Sequence, residues 1–508
     1  MRKNDAGLDF HLTRVDLIVL CAALLTAITL FVIGTSKYGI GLTGDTMNYL
    51  ALSENILAGR GFVGLGGEPF VLWPPGYSLI ISFLIAITGA NQYSILFALN
   101  IFSLSFILII FYFLLKQKLK APSLRYYGMG LLVIAPGFYL VSVFAFAEVI
   151  FIPILLLFLF LGEKWREELT VGRVIWLSVL SLILFFLKYI GIISFVVILY
   201  LILRGNRREW FRNTSLSISI AVVPAVLWLI RNFTVSGTPF GERGSSMYNI
   251  IDVTLISTET FLYWVFPFLL LLPVILYAAA RYLKVTETPF SDFARRSDIQ
   301  LLFTVLFISA TIISCTVSAF DRLNNRLLFP AFIPLLILFL IFVDVVKTNL
   351  RKWKYQKFLT IAGLVVLIIP VVLYIRTDIR SFNSRIEHGA GGIATDEYQA
   401  RLPRIPDHIF RELKSTGKIY CNNPELLYYA TNLQTKKSPQ KFFYNSEDVV
   451  VRLDDLPKYF SEEKSFLIWL GGNMNDTGYS PQELVKHVGI KEISAGLNYR
   501  IFEISGQK

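Results

Sequence analysis

Along the first 375 residues the sequence returns again and again to apolar runs close to the about 20 residues that an α-helix needs to cross a hydrocarbon core. No water-soluble core could take up so many such runs, so the chain must fold within a bilayer, where helices are the form that satisfies their backbone groups internally. The balance of residues agrees: 55% of the 508 residues are hydrophobic, 17% are charged, and the mean hydropathy is +0.59. A net charge of +12 raises the question of nucleic acid. The Lys and Arg residues sit in short loops between apolar segments instead of forming one basic stripe, which argues for membrane orientation and against a nucleic-acid partner. Cys21, Cys315 and Cys421 are too few and too scattered to make a disulfide framework.

Eleven candidate spans follow from the pattern, at 15–34, 94–115, 126–140, 148–161, 174–187, 190–203, 215–230, 260–280, 301–319, 327–346 and 359–375. The first follows a basic start, but it is longer than a cleaved signal's apolar region and reads as an uncleaved span. The stretches 126–161 and 174–203 are interrupted only by Pro136 and by Lys188 with Gly191. Read as single crossings, they would put the basic loops on their two sides on opposite faces, so each is read as two short crossings. On this scheme cytoplasmic segments carry twenty-three Lys and Arg, and the outer segments before the tail carry seven. The asymmetry implies a cytoplasmic N-terminus and an outer C-terminal tail. With no signal for another compartment, a multi-pass protein of the plasma (inner) membrane is expected.

Crossings of about 14 residues reach only about 21 Å, short of a hydrocarbon core of about 30 Å. Glu148 and Lys188 stand at their outer tips, and ionisable groups at that depth usually face a wet cavity, which implies a cleft opening outward. The expected architecture is therefore a polytopic α-helical transmembrane module over 1–375 and a small extracytoplasmic α/β domain over 376–508. Within the module, 35–93 forms a first outer loop whose helices lie against the membrane surface. In the tail, 418–420, 466–470 and 499–504 read as strands and 424–431 and 481–488 as helices.

Few residues are candidates for chemistry. Asp45 opens the amphipathic stretch 46–57, where free N–H groups favour an ionised carboxylate that can serve as a base or simply as a helix cap. Tyr49, four residues on, shares its face and could bond to Asp45 or to a ligand. Lys188, Arg231 and Arg326 are placed by the topology at the outer boundary, where they could hold a phosphate or snorkel as ordinary end-of-span residues. Gly59, Gly61 and Gly64 satisfy G-x-G-x-x-G, but no strand precedes them and the dinucleotide reading fails. The four histidines are scattered and no metal-ligand spacing is visible, nor any Walker loop or kinase signature.

The ordered set Gly44-Asp45-x-x-x-Tyr49-Leu50, Gly59-x-Gly61-Phe62, Pro74-Pro75-Gly76-Tyr77, Lys188-Tyr189, Arg231-Asn232 with Gly237-x-Pro239-Phe240, and Arg326-Leu327-Leu328-Phe329-Pro330 resembles the GT-C class of integral-membrane glycosyltransferases. Within it the protein O-mannosyltransferases and the lipid A aminoarabinose transferases are the nearest in pattern, over roughly residues 10 to 350. The resemblance implies an inverting transfer of a sugar from a polyprenyl-phosphate donor to a lipid, glycan or protein acceptor on the outer face, with membrane lipids around it. Asp45 matches the catalytic acid and would act as general base, while Lys188, Arg231 and Arg326 would offset charge on the departing phosphate. Glu148 stands where relatives carry a second acidic residue and would either contact the sugar or pair with Lys188. The Asp-Glu pair of the protein mannosyltransferases is Asp45-Thr46 here, which puts a protein acceptor in question. Some members of the class bind a divalent metal; the resemblance leaves a divalent metal ion open as cofactor, but the ligands in this sequence are too few to assign one. The alternative function is a transporter or flippase for a lipid-linked sugar, for which internal repeats and interrupted mid-membrane helices would be expected.

Overall fold

The computed structural model describes residues 11–264, 290–319, 322–350, 356–416, 418–460, 465–471 and 478–505. Its first part is helical: α1 (Arg14–Gly34), α2 (Gly44–Leu57), α3 (Gly76–Thr88), α4 (Gln92–Lys118), α5 (Pro122–Val133), α6 (Pro136–Val143), α7 (Glu148–Trp165), α8 (Val171–Leu187) and α9 (Ile193–Arg204). There follow α10 (Trp210–Ser217), α11 (Val223–Ser236), α12 (Ile250–Trp264), α13 (Phe290–Val317), α14 (Asn325–Leu350) and α15 (Gln356–His388). Five described segments are long and apolar enough to cross a membrane: α1, α4, the run Arg207–Ser236, and most of α13 and α14. The chain is a polytopic, helical, integral membrane protein.

The stretch 126–161 breaks twice, between α6 and α7 and, inside the expected span 126–140, at Pro136. Pro136, which has no N–H to give, opens α6, and the axis turns by 51° between α5 and α6. Between α8 and α9 the chain makes one tight turn, Tyr189–Ile192, in which a Cβ on Gly191 would lie 2.3 Å from the Leu184 carbonyl. The expected span 260–280 lies, beyond Trp264, outside the described residues. Helix α12 already begins at Ile250, earlier than the apolar run alone indicates.

Helix α2 is enclosed by protein on two sides: Thr46, Met47, Tyr49 to Ser53 and Asn55 are all buried, with α3 on one side and a tail helix on the other. One expectation needs correction: the last helix does not stop near 375, for α15 continues to His388 and the irregular chain of the tail starts beyond it.

At one end of the bundle the polar residues form an ionic network. Lys118 meets Glu163 at 2.6 Å and Arg296 meets Asp344 at 2.6 Å, while Arg166 pairs with Asp298 at 2.8 Å. Glu163 lies near the C-terminal end of α7 and Glu148 at its start, so the two acidic residues mark opposite ends of one 18-residue helix.

Beyond α15 come α16 (Asp396–Ala400), α17 (Asp407–Thr416) and α18 (Pro424–Thr431). Strands β1 (Lys418–Cys421), β2 (Lys436–Lys437), β3 (Ser465–Leu470), β4 (Gly489–Gly496) and β5 (Tyr499–Ser505) make one sheet, ordered β2-β1-β3-β5-β4. β1 runs parallel to β2 and β3, whereas β5 runs antiparallel to β3 and β4. The three strands anticipated from sequence, β1, β3 and β5, are the central ones. β4 escapes the pattern because its residues are mostly exposed at the sheet edge and lack an apolar face.

The tail is tied to the top of α1 by a charge. The Lys37 ammonium meets Asp396 at 2.8 Å, and the Tyr38 hydroxyl donates to the same carboxylate at 2.5 Å. The Lys37 hydrogen bond, with that from Tyr38, holds the Asp396 carboxyl below its ordinary 3.8, at about 2. A depressed carboxyl stabilises the folded state above its unfolded pKa, and this contribution fades as pH falls through the folded value. The melting-temperature difference between the unsubstituted chain and Asp396→Asn, followed by intrinsic fluorescence, is therefore expected to be largest above about pH 4 and to vanish towards pH 2.

Candidate active site

Three helices begin at one place. Thr43 caps α2, its side chain accepting from the Thr46 N–H, so the cap is not Asp45. Freed from that duty, the Asp45 carboxylate accepts a hydrogen bond from Arg326 Nη2 at 2.7 Å. Arg326 stands in the first turn of α14 and Glu148 in the first turn of α7. Arg326 Nε donates to Glu148 Oε1 at 3.0 Å, and Lys188, immediately after α8, meets the same oxygen at 2.7 Å. Asp45, Arg326, Glu148 and Lys188 thus form one continuous chain of ion pairs. Four of the six residues singled out in the sequence come together.

Depth varies along that chain. The Glu148 side chain is 1% exposed, Arg326 16%, Lys188 22% and Asp45 27%, so the cluster opens outward from a buried carboxylate. Three helix N-termini add their positive ends to the two cations, an arrangement that favours an anionic group. The Arg326 guanidinium also lies 3.8 Å from the centre of the Phe146 ring, which fixes its plane.

Tyr49 takes part through its ring, which is buried and meets Tyr77 edge-on at 5.2 Å and Trp73 at 6.0 Å. No hydrogen bond joins it to Asp45 among the described residues. Arg231 stands apart. Its guanidinium donates to the carbonyls of Phe70 at 3.0 Å and Phe62 at 3.3 Å and faces the Trp228 ring at 4.9 Å, so it braces the Gly/Pro-rich loop before α3.

One group that was not among those candidates also belongs here, the Tyr77 hydroxyl. Among the described residues it and Glu148 Oε2 are buried polar atoms without a hydrogen-bond partner. Such atoms are costly to bury unsatisfied. Their placement depends on Gly76, where a Cβ would lie 2.4 Å from the Phe186 carbonyl; glycine lets the start of α3 press on the end of α8 beside Lys188. The quoted Pro-Pro-Gly-Tyr motif was the available signal.

The segment ahead of Asp45 is held from both sides. Gly41 N–H donates to Val143 at 2.8 Å and its carbonyl accepts from Ala145 at 3.0 Å; Leu42 N–H donates to Gly391 at 3.3 Å and its carbonyl accepts from Ile393 at 2.8 Å. These are parallel bridges, one to the strand-like lead into Glu148 and one to the start of the tail. Gly392 adopts φ +59°, and a Cβ there would lie 1.9 Å from the Leu42 carbonyl oxygen, so no other residue fits. Gly392→Val is expected to open this clamp: hydrogen exchange at the Leu42 and Ile393 amides, read by mass spectrometry, should quicken at least about tenfold while peptides from α4 and α14 keep their protection.

Among the described residues no three His, Cys, Asp or Glu side chains gather as metal ligands. Asp45 and Glu148 are bridged by a guanidinium, which takes the place a cation would need. The residues present do not fit a divalent metal at this point.

No family model and no curated protein matches the sequence. Solved structures do. The crystal structure of ArnT from Cupriavidus metallidurans in the apo state aligns over 96% of this chain and 98% of that one, with a TM-score of 0.59 at 11% identity. It has the GT-C fold. The same ArnT bound to undecaprenyl phosphate aligns over 96% and 97%, with a TM-score of 0.57 at 11% identity. The arabinofuranosyltransferase AftD from Mycobacteria aligns over 98% of this chain but 40% of its own length, with a TM-score of 0.52 at 12% identity.

Proposed function

We propose that this chain is a glycosyltransferase that takes a sugar from a polyprenyl-phosphate donor and passes it, with inversion, to an acceptor on the outer face of the membrane. The observation that carries the reading is the chain of ion pairs Asp45–Arg326–Glu148–Lys188, set where three helix N-termini meet. The similarity in fold to an ArnT structure bound to undecaprenyl phosphate supports a lipid phosphate as the anion. Charge asymmetry of the loops supports eleven spans, a cytoplasmic N-terminus and an outer tail in an inner or plasma membrane.

In this reading Arg326 changes partner. At rest it neutralises Asp45; the arriving donor phosphodiester, whose single negative charge grows towards two as its bond to the sugar breaks, draws the guanidinium and Lys188 to itself. Asp45 is then free to accept a proton. The acceptor oxygen attacks the anomeric carbon, its proton passes to the Asp45 carboxylate, and the bond to the phosphate oxygen breaks with its electron pair leaving on the polyprenyl phosphate. Glu148 does no proton transfer: buried beneath both cations, it keeps them at one depth, and its unpaired Oε2 with the Tyr77 hydroxyl receives hydroxyls of the sugar. Arg231 acts on the loop that closes the site instead of on the phosphate. The acceptor is a lipid, glycan or protein.

The test is release of free polyprenyl phosphate from a panel of polyprenyl-phosphate sugars in proteoliposomes supplied with crude envelope lipids. Asp45→Asn should lower the rate by about 10² to 10⁴, and Arg326→Ala by about 10² to 10³ through lost stabilisation of the leaving phosphate. Equal turnover by Asp45→Asn would remove it as the base; labelled lipid moved between leaflets with no release would make the chain a flippase. Tyr77→Phe separates structure from function. Deleting a buried hydroxyl without a partner should leave the melting temperature equal or higher, whereas the KM for the donor should rise.

A further inference from the structure

A cavity of about 370 Å³ shares none of the residues of the ion-pair cluster. Tyr38, Leu42, Tyr93, Ser94, Phe97 and Tyr429 line it. It is assembled from the chain after α1, the start of α4 and the tail helix α18, so it lies beyond the end of one span and the beginning of another, under a cover of tail residues. Its volume falls in the range of small-molecule sites.

We propose that this cavity receives a saccharide unit of the acceptor. Four aromatic rings border it, and each is only half-buried, so that ring faces remain open to the space. Three of the four carry hydroxyls. A tyrosine offers an apolar face with a polar tip, the counterpart of a sugar ring, whose C–H face and hydroxyl rim are likewise divided. Tyr93 and Tyr429 stand edge to face at 5.9 Å, forming a corner against which a flat ring can rest. The Tyr429 hydroxyl accepts from Gln399 at 3.4 Å, and Tyr38 is held by Asp396 at 2.5 Å, so two of the rings are anchored before a ligand arrives. Leu42 connects the cavity to the chemistry: two residues, Thr43 and Gly44, separate it from Asp45, a reach of at most about 11 Å of chain, and the glycine clamp fixes Leu42 at the near end. A saccharide seated here presents a hydroxyl towards Asp45 without crossing the cations.

The inference rests on the transferase reading for the word acceptor, and the experiment separates the two. The full-length chain in lipid nanodiscs free of glycoside detergent is mixed with methyl α-mannopyranoside, methyl β-glucopyranoside, methyl α-arabinofuranoside and a short-chain phosphatidylglycerol, and saturation-transfer NMR reports which protons touch the protein. The expected result is transfer to the ring C–H protons of at least one glycoside. Its dissociation constant should rise about fivefold or more in Tyr429→Ala and in Ser94→Trp, and stay near the unsubstituted value in Tyr429→Phe, which keeps the ring. Ser94 is exposed at the start of α4, so the tryptophan fills the cavity without entering the core. Transfer to acyl protons alone, no transfer to any glycoside, or equal affinity in Ser94→Trp and Tyr429→Ala overturns the proposal. Asp45-dependent release of polyprenyl phosphate alongside such equal affinities would remove the pocket and leave the transferase. Binding lost in Ser94→Trp, with no donor ever cleaved, would keep a saccharide site and remove the transferase.

Discussion

A carboxylate that is 1% exposed, with two cations on one of its oxygens, organises one end of this molecule. Removing Glu148 would leave Arg326 and Lys188 repelling each other in a partly dry site, a change that typically costs about 3 to 5 kcal/mol. Keeping it fixes α7, α8 and α14 relative to one another, since each contributes a group at or next to its end. Asp45 is then brought in from α2 by the remaining face of the same guanidinium. The site is thus not attached to a finished bundle; its ion pairs decide how the ends of the helices meet.

The opposite end of α7 shows the same device put to another use. Glu163, Lys118, Arg166 and Asp298 pair there in the same alternating way. The difference lies in exposure: none of these four side chains is more than 15% exposed, whereas the Asp45–Arg326–Glu148–Lys188 chain runs from 1% at Glu148 to 27% at Asp45 and so reaches open space.

Much of this was legible in the residues. Apolar periodicity gives the long helices, and Pro136 and Gly191 mark the breaks, because a missing N–H and a missing Cβ act locally whatever surrounds them. Lys188, Glu148, Arg326 and Asp45 could be singled out since charge near a span is costly wherever it falls. What the sequence hid were long-range matters. Nothing local says that Arg231 turns to the carbonyls of Phe62 and Phe70 instead of joining the other cations. Nor does anything near Tyr77 say that its hydroxyl lacks a partner, or anything in α2 that tail residues will cover it. β4 was invisible for a related reason: an edge strand with exposed side chains carries no period to detect.

The glycine clamp has a consequence in time. Lys37 and Asp396 are 359 residues apart in sequence, and Leu42 pairs with Gly391 and Ile393 across a similar interval. Chains are made from the N-terminus at about 5 to 20 residues per second, so Asp45 is in the membrane well before the strand that steadies it exists. Until residues 391–393 arrive and dock, the segment carrying the carboxylate has only the Val143 and Ala145 side of its support. Residues 391–393 thereby set the moment at which the site first becomes ordered, and a chain interrupted before them would have its earlier helices without the second half of the clamp.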